Sequence, residues 1–160
     1  EAHFNLAHVF EQERKIDQAI EHYRFVVKAK PDHVMGRAGL GMALCAKGAF
    51  QDGAAQLAQA VALEPANSTI RHNLAITLVR LGQHDQAIAQ WQYILQREPG
   101  NTDALMCLAV EYGQTGQRDK ALRLLEEGLR MAEAVGDEKL ASQITDQVKR
   151  LIAPDAAGRR

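Results

Sequence analysis

Apolar and polar positions along this chain alternate with helical periodicity, and the pattern repeats at a fixed interval. Each interval contains two stretches with apolar residues three to four positions apart, which is the spacing of one buried helix face. A short turn separates the two stretches, and Pro31, Pro65 and Pro99 close successive intervals 34 residues apart. A period of this length predicts an array of helix pairs, in which each pair buries its apolar face against its neighbours.

The pattern predicts nine helices, which cover 1–13, 17–30, 34–47, 51–64, 68–81, 85–98, 102–115, 119–134 and 137–152. The first eight form four pairs, in the units 1–33, 34–67, 68–101 and 102–135. The ninth follows Asp137, a favourable N-cap, and has one apolar stripe and one polar face, which suits a helix that ends a stack. We expect a single domain over 1–153 and a flexible tail over 154–160.

The units share a register of small and large residues. Small residues recur at position 8 (Ala7, Gly41, Ala75, Ala109) and position 20 (Ala19, Gly53, Ala87, Ala121), and large ones at position 11 (Phe10, Leu44, Leu78, Tyr112). This register resembles the tetratricopeptide repeat (TPR), W-x2-L-G-x2-Y…A-x3-F…P, over residues 1 to about 133. The resemblance implies an all-α fold, a right-handed α-solenoid of four TPR helix hairpins plus a C-terminal capping helix.

Three departures from the TPR pattern carry expectations of their own. The tryptophan of position 4 is replaced by His3, Arg37, Arg71 and Leu105. Gly53 stands inside a helix where alanine is usual, which costs up to about 1 kcal/mol and predicts that the second unit is the softest. Glu133 stands where the fourth proline would be, so the eighth helix is expected to continue almost to Gly136.

Composition narrows the classes of function. The chain has 160 residues, 46% of them hydrophobic and 24% charged, and a formal net charge of −1. These values are typical of a soluble helical protein and offer no bulk attraction to nucleic acid. No apolar run reaches the length of a membrane span, so we expect no direct membrane insertion. Because the chain begins at Glu1 rather than methionine, we expect a trimmed piece, and its TPR resemblance favours the bacterial cytoplasm or periplasm.

No set of residues suggests catalysis, a metal or a cofactor. The six histidines lack the spacing of a metal site, and Cys45 and Cys107 are interpreted as small apolar fillers. The segment G-R-A-G-L-G at 36–41 imitates a phosphate-binding loop, but it lies inside a predicted helix instead of following a strand. We therefore expect a protein that is not an enzyme and that binds neither cofactor nor metal.

The TPR resemblance implies a concave groove lined by the first helix of each pair. The residues expected to line it as a partner-binding site are Phe4, Asn5, His8, Met35, Met42, His72, Asn73, Ile76, Met106 and Val110. Several are large and apolar without a core role in the repeat pattern, which indicates a protein or peptide partner with apolar side chains. The alternative is that tight winding buries part of them between neighbouring units.

Two asparagines indicate how an extended peptide could be held. Asn5 and Asn73, in A-H-F-N-L-A and I-R-H-N-L-A, resemble residues of O-linked N-acetylglucosamine transferase and bacterial TPR proteins. In those repeats, asparagines at this position bond a peptide backbone. Gly39 and Cys107 interrupt the series here. The carboxylate-clamp class of TPR is excluded, because no lysine or arginine occupies its two clamp positions.

The sequence thus predicts a non-catalytic scaffold for protein–protein interaction that binds a peptide or helix in an apolar groove. One alternative is the substrate-recruiting arm of a larger enzyme, such as a glycosyltransferase. Another is a scaffold that assembles with itself, as a homo-oligomer formed through the N-terminal helices within residues 1–30. The identity of the partner remains open.

Overall fold

The structure, a computed structural model, describes residues 1–153, and the tail predicted over 154–160 lies outside the described residues. Within residues 1–153 it contains nine α-helices and no strand. These are α1 (Ala2–Gln12), α2 (Ile16–Ala29), α3 (Val34–Ala46), α4 (Phe50–Leu63), α5 (Ser68–Arg80), α6 (His84–Arg97), α7 (Thr102–Gln114), α8 (Arg118–Val135) and α9 (Glu138–Ile152). Every helix begins and ends within one residue of its predicted bounds, which confirms the predicted series of helix pairs.

The chain forms two compact units, residues 1–90 and residues 91 onward. In the first unit α1 packs on α2, α2 on α3, α3 on α4 and α4 on α5. The first helices of successive pairs also touch one another, α1 with α3 and α3 with α5. A core cluster joins α1, α2 and α3 through Ala7, Ala19, Ile20, Tyr23, Leu40, Ala43 and Leu44. The small residues among them let the helices approach closely.

The turn inside each pair requires a left-handed backbone. Gly48, Gly82 and Gly116 have φ angles of +87°, +72° and +75°, values that glycine adopts without steric cost. The corresponding residue of the first pair is Arg14, with φ of +59°, the only described residue other than glycine in this region. Since a side chain makes this conformation costly, the first turn is held in place by its surroundings.

Arg37 and Arg71 occupy the position where the TPR pattern has tryptophan. The Nε of each donates to the carbonyl of the proline six residues earlier, Pro31 or Pro65, at 2.6 Å. Their Nη1 atoms donate to glutamines on the second helix of the same pair, Gln56 at 3.1 Å and Gln90 at 2.5 Å. The two arginines therefore connect the turns at Pro31 and Pro65 to the helix pairs that follow them.

In the second unit α8 is lengthened and α9 packs on α7 and α8. The helix α8 has 18 residues, against 14 in α2, α4 and α6, and the residue that caps its C-terminus is Gly136, with φ of +70°. The Asp137 carboxylate caps α9 by accepting from the Leu140 N–H at 2.9 Å. Ile144 is fully buried in a cluster with Leu105, Ala109 and Leu125, so the apolar stripe of α9 covers the fourth pair. No helix within residues 1–153 has both the length and the apolar character needed to cross a membrane.

Candidate binding face

The predicted groove residues of the first unit lie on three neighbouring helices, α1, α3 and α5. We call their surface the first-helix face, which consists of Phe4, Asn5, His8, Met35, Met42, His72, Asn73 and Ile76. Five of these are exposed, namely Asn5, His8, Met35, Met42 and Ile76, and the other three are half-buried. The face thus brings together residues from three consecutive pairs.

Exposed apolar side chains dominate the centre of this face. Met35 is 53% exposed, Met42 43% and Ile76 44%. Met35 and Met42 are seven residues apart on α3, which places them on one side of the helix. Asn73 on α5 donates from Nδ2 to the Met42 sulfur at 3.3 Å, so the α3 and α5 parts of the face are in direct contact.

Phe4, at the α1 end of the face, has a role that the repeat pattern did not predict. Its half-buried ring packs against the core cluster of the first unit. The ring centroid lies 6.0 Å from that of Tyr23 and 5.1 Å from that of His33. Phe4 therefore fits the alternative in which part of the predicted lining is buried, because α2 and the start of the second pair supply partners that the pattern of α1 alone does not reveal.

Tyr23 fills the place where the asparagine series is interrupted. A Cβ atom added at Gly39 would lie 2.5 Å from Cζ of Tyr23, so only glycine leaves room for this ring. The Tyr23 hydroxyl donates to Glu11 Oε2 at 3.0 Å, and burial, together with the Glu11 charge, raises the pKa of Tyr23. Sequence reasoning missed this arrangement, although an aromatic residue on α2 and a glycine on α3 were its signals.

The first-helix face carries little charge. Glu11 is the one carboxylate on α1, α3 and α5, all of which are fully described. Arg37 and Arg71 are engaged at the inter-pair turns, and the Arg80 guanidinium lies 5.0 Å from the centre of the Phe50 ring. His8 lies beside Glu11, with Nδ1 3.6 Å from Oε2. A partner on this face would therefore meet mainly apolar and uncharged groups.

The remaining predicted residues, Met106 and Val110, belong to the second unit and are half-buried. Met106 packs against the cluster that contains Leu105 and Ile144. Met106 is therefore only partly open to water, because the core closed by α9 takes up part of its side chain. Near it, burial raises the pKa of the Cys107 thiol, and the charges of Asp103 and Glu111 add to the effect.

The described part of the chain shows no cluster of three or more histidine, cysteine or acidic side chains that could hold a metal ion. His3 on α1 pairs with His22 on α2, since their Nδ1 atoms are 2.7 Å apart. Cys45 and Cys107 are free thiols. Cys45 Sγ lies 3.4 Å from the Thr77 hydroxyl, as expected for a small residue packed between helices.

Three protein-family profiles match this chain, and all are described as tetratricopeptide repeat. They cover residues 4–68, 57–89 and 102–135. A search among curated proteins finds no match. The assignment of this sequence to a family therefore rests on the three profiles.

Solved structures show the same fold at low sequence identity. A tetratricopeptide repeat protein from Parabacteroides merdae superposes with a TM-score of 0.78 at 19% identity, over 94% of this chain and 62% of that one. For MamA the TM-score is 0.75 at 20% identity, over 94% and 88% of the two chains. YrrB, described as a TPR protein with an unusual peptide-binding site, gives 0.71 at 15% identity, over 96% and 86%. The fold is an all-α solenoid of TPR repeats, and the chain belongs to the tetratricopeptide repeat family.

Proposed function

We propose that this chain is a non-catalytic scaffold for protein–protein interaction, and that it binds an apolar segment of a partner protein on the first-helix face. The observation that carries the proposal is the contiguous exposure of Met35, Met42 and Ile76 on adjacent helices. Exposed apolar patches on soluble domains mark interaction sites, because leaving them in water is unfavourable. Methionine also adapts its shape to a bound surface, since its side chain is flexible and polarizable.

The exposure of these residues is not a by-product of poor packing. Ala38, Leu40 and Leu44 on the same helix are buried, so α3 packs into the core through residues other than the methionines. The tetratricopeptide repeat fold and the peptide-binding site named for YrrB support the same kind of function. In the fourth pair, Val110 and the exposed part of Met106 are proposed as a further contact.

A capture experiment with two matched substitutions tests the proposal. Met42 and Leu63 are equally exposed, at 43% and 44%, but Leu63 lies on the second helix α4. We expect wild type and Leu63→Glu to retain the same partner from a bacterial extract, and Met42→Glu to lose it while keeping its circular dichroism spectrum. Retention of that partner by folded Met42→Glu, or its loss with Leu63→Glu alone, would place binding on another surface.

Self-association is a second proposed function, favoured by one observation at the edge of the first pair. Leu6, Val9 and Phe25 are exposed there, whereas Leu40 and Leu74, which occupy the same repeat position as Leu6, are buried. Apolar contact through this edge would join two copies. Sedimentation velocity over a concentration series should then show a dimer that Leu6→Glu disrupts, and a wild-type monomer throughout the series would reject this function.

A further inference from the structure

We infer that a pocket in the second unit binds a small apolar molecule that carries an amine. The pocket lies between the turn before α7, the end of α8 and the start of α9, and its volume is about 380 Å³. That volume falls within the range of roughly 300–1,000 Å³ that is usual for small-molecule sites. The first-helix face belongs to the first unit, so the inference can fail without affecting the proposed function.

The pocket forms where the fourth pair departs from the repeat. Leu105 occupies the position held by Arg37 and Arg71 in the two preceding pairs. A leucine cannot donate to the carbonyl of Pro99 as the two arginines donate to those of the earlier prolines. The Leu105 side chain is instead buried in the core cluster of α7, α8 and α9. Both Pro99 and Leu105 line the pocket, so the altered position contributes to this site.

Small buried residues of α8 form the floor of the pocket. Gly128 stands where the other three pairs have valine, alanine and isoleucine, and a Cβ atom added there would lie 2.6 Å from Leu105 Cδ1. Ala132, one turn further along α8, is also buried. Val135 of α8 is exposed and Leu140 of α9 is half-buried, and both line the pocket. The extended end of α8 and the start of α9 therefore supply apolar walls.

The polar groups that remain for a ligand are acceptors. Asn101 at the start of α7 accepts from the Ala104 N–H at 3.0 Å, so this donor is occupied. Asp137 accepts in the same way from the Leu140 N–H at 2.9 Å. The Pro99 carbonyl and the second carboxylate oxygen of Asp137 can still accept. None of the described residues that line the pocket is a lysine or arginine. An apolar body with a charged amine therefore matches the pocket, whereas a ligand carboxylate would be repelled by Asp137.

Three probes that share one ring system and differ in charge test the inference. Tryptamine, indole and indole-3-acetate are titrated separately into the labelled chain at neutral pH, and the amide signals of Gly100, Gly128 and Leu140 are followed by nuclear magnetic resonance. We expect saturable shifts at these residues. Tryptamine should bind about tenfold more tightly than indole-3-acetate, with indole between them, because only the head groups differ in their interaction with Asp137.

Matched variants assign the binding to the pocket. Asp137→Asn keeps a side-chain oxygen that can cap α9, so it should reduce the preference for tryptamine and leave indole binding unchanged. Ala134→Trp and Val135→Trp place a ring at exposed lining positions and should weaken all three probes. Ala58→Trp is the control, because Ala58 is an exposed residue of α4 outside the second unit, and it should bind like wild type.

Three results would overturn the inference. One is the absence of saturable shifts at the pocket residues with all three probes. Another is binding of indole-3-acetate as tight as that of tryptamine, or tighter, which would reject an amine as the head group. The third is unchanged binding to folded Ala134→Trp and folded Val135→Trp, which would place the probes outside the pocket.

Discussion

Gly53 on α4 lies at a close approach to α3. A Cβ atom added there would be 2.8 Å from the Gly41 carbonyl oxygen and would also collide with the Cys45 sulfur. Helix propensity alone predicts a soft second pair, because glycine is unfavourable inside a helix. The contact gives the residue a different role, since the absence of a side chain is what allows the two backbones to meet.

We therefore expect Gly53→Ala to lower the free energy of unfolding, although propensity alone predicts an increase. The overpacking should cost about 1–3 kcal/mol, measured by urea denaturation. Gly100 provides the control, because an added Cβ would meet nothing within 4 Å and its φ is not positive. Gly100→Ala should change stability by less than about 0.5 kcal/mol. A more stable Gly53→Ala would show that α3 and α4 can separate without penalty.

Arg14 allows the reverse test at a turn. Its φ of +59° corresponds to the positive φ values of Gly48, Gly82 and Gly116. Replacing it by glycine removes the steric cost of the left-handed conformation, so Arg14→Gly should raise stability by about 0.5–1 kcal/mol. In the complementary variant Gly48→Ala, stability should fall by a similar amount. Chemical denaturation of both variants measures the effect, and a destabilised Arg14→Gly would mean that contacts of the arginine outweigh its backbone strain.

At the scale of the element, α9 combines a buried stripe with an exposed polar face. Ile144 is fully buried, whereas Ile152 on the same helix is 55% exposed. Ile144→Ala should destabilise the protein by about 2–5 kcal/mol through lost burial and the cavity it leaves. Ile152→Ala is the matched control and should stay within about 0.5 kcal/mol of wild type. Equal melting temperatures for wild type and Ile144→Ala would show that α9 does not support the fourth pair.

The helix bounds were predictable because local residues mark them. Asn67 and Asn101, which follow Pro65 and Pro99, cap α5 and α7 by accepting from the N–H groups of Ile70 and Ala104 at 3.1 and 3.0 Å. Such signals act within a few residues and need no knowledge of the fold. The length of α8 was also predictable from the sequence, since Glu133 replaces the proline that would have ended the helix.

The candidate face was predictable only in part. Repeat register fixes the side of a helix on which a residue lies, and it placed Met35, Met42 and Ile76 among the exposed residues of the first helices. It could not reveal contacts supplied by other elements, such as the packing of Phe4 near His33 or of Met106 near Ile144. Those contacts depend on side-chain shape across helices, which a periodic pattern does not encode.

At the scale of the whole molecule, positive and negative charges nearly cancel, and few charged side chains lie on the proposed binding face. The formal net charge is −1, and the arginines of α3 and α5 have partners at the turns or over Phe50. Binding to the face should therefore depend weakly on ionic strength. We expect the dissociation constant to change by less than about threefold between low and high salt, because screening affects only charged pairs. A tenfold weakening, measured by titration calorimetry, would indicate an ionic site instead.

The most direct test of the first-helix face is a nuclear magnetic resonance titration of the labelled chain with a captured partner segment. Chemical-shift changes report which backbone amides sense the partner. The account predicts that the largest changes fall around Met35, Met42 and Ile76 on α3 and α5, with residues near Leu63 on α4 unaffected. Changes confined to α2 and α4, with α3 and α5 unperturbed, would contradict the account and assign binding to the second helices.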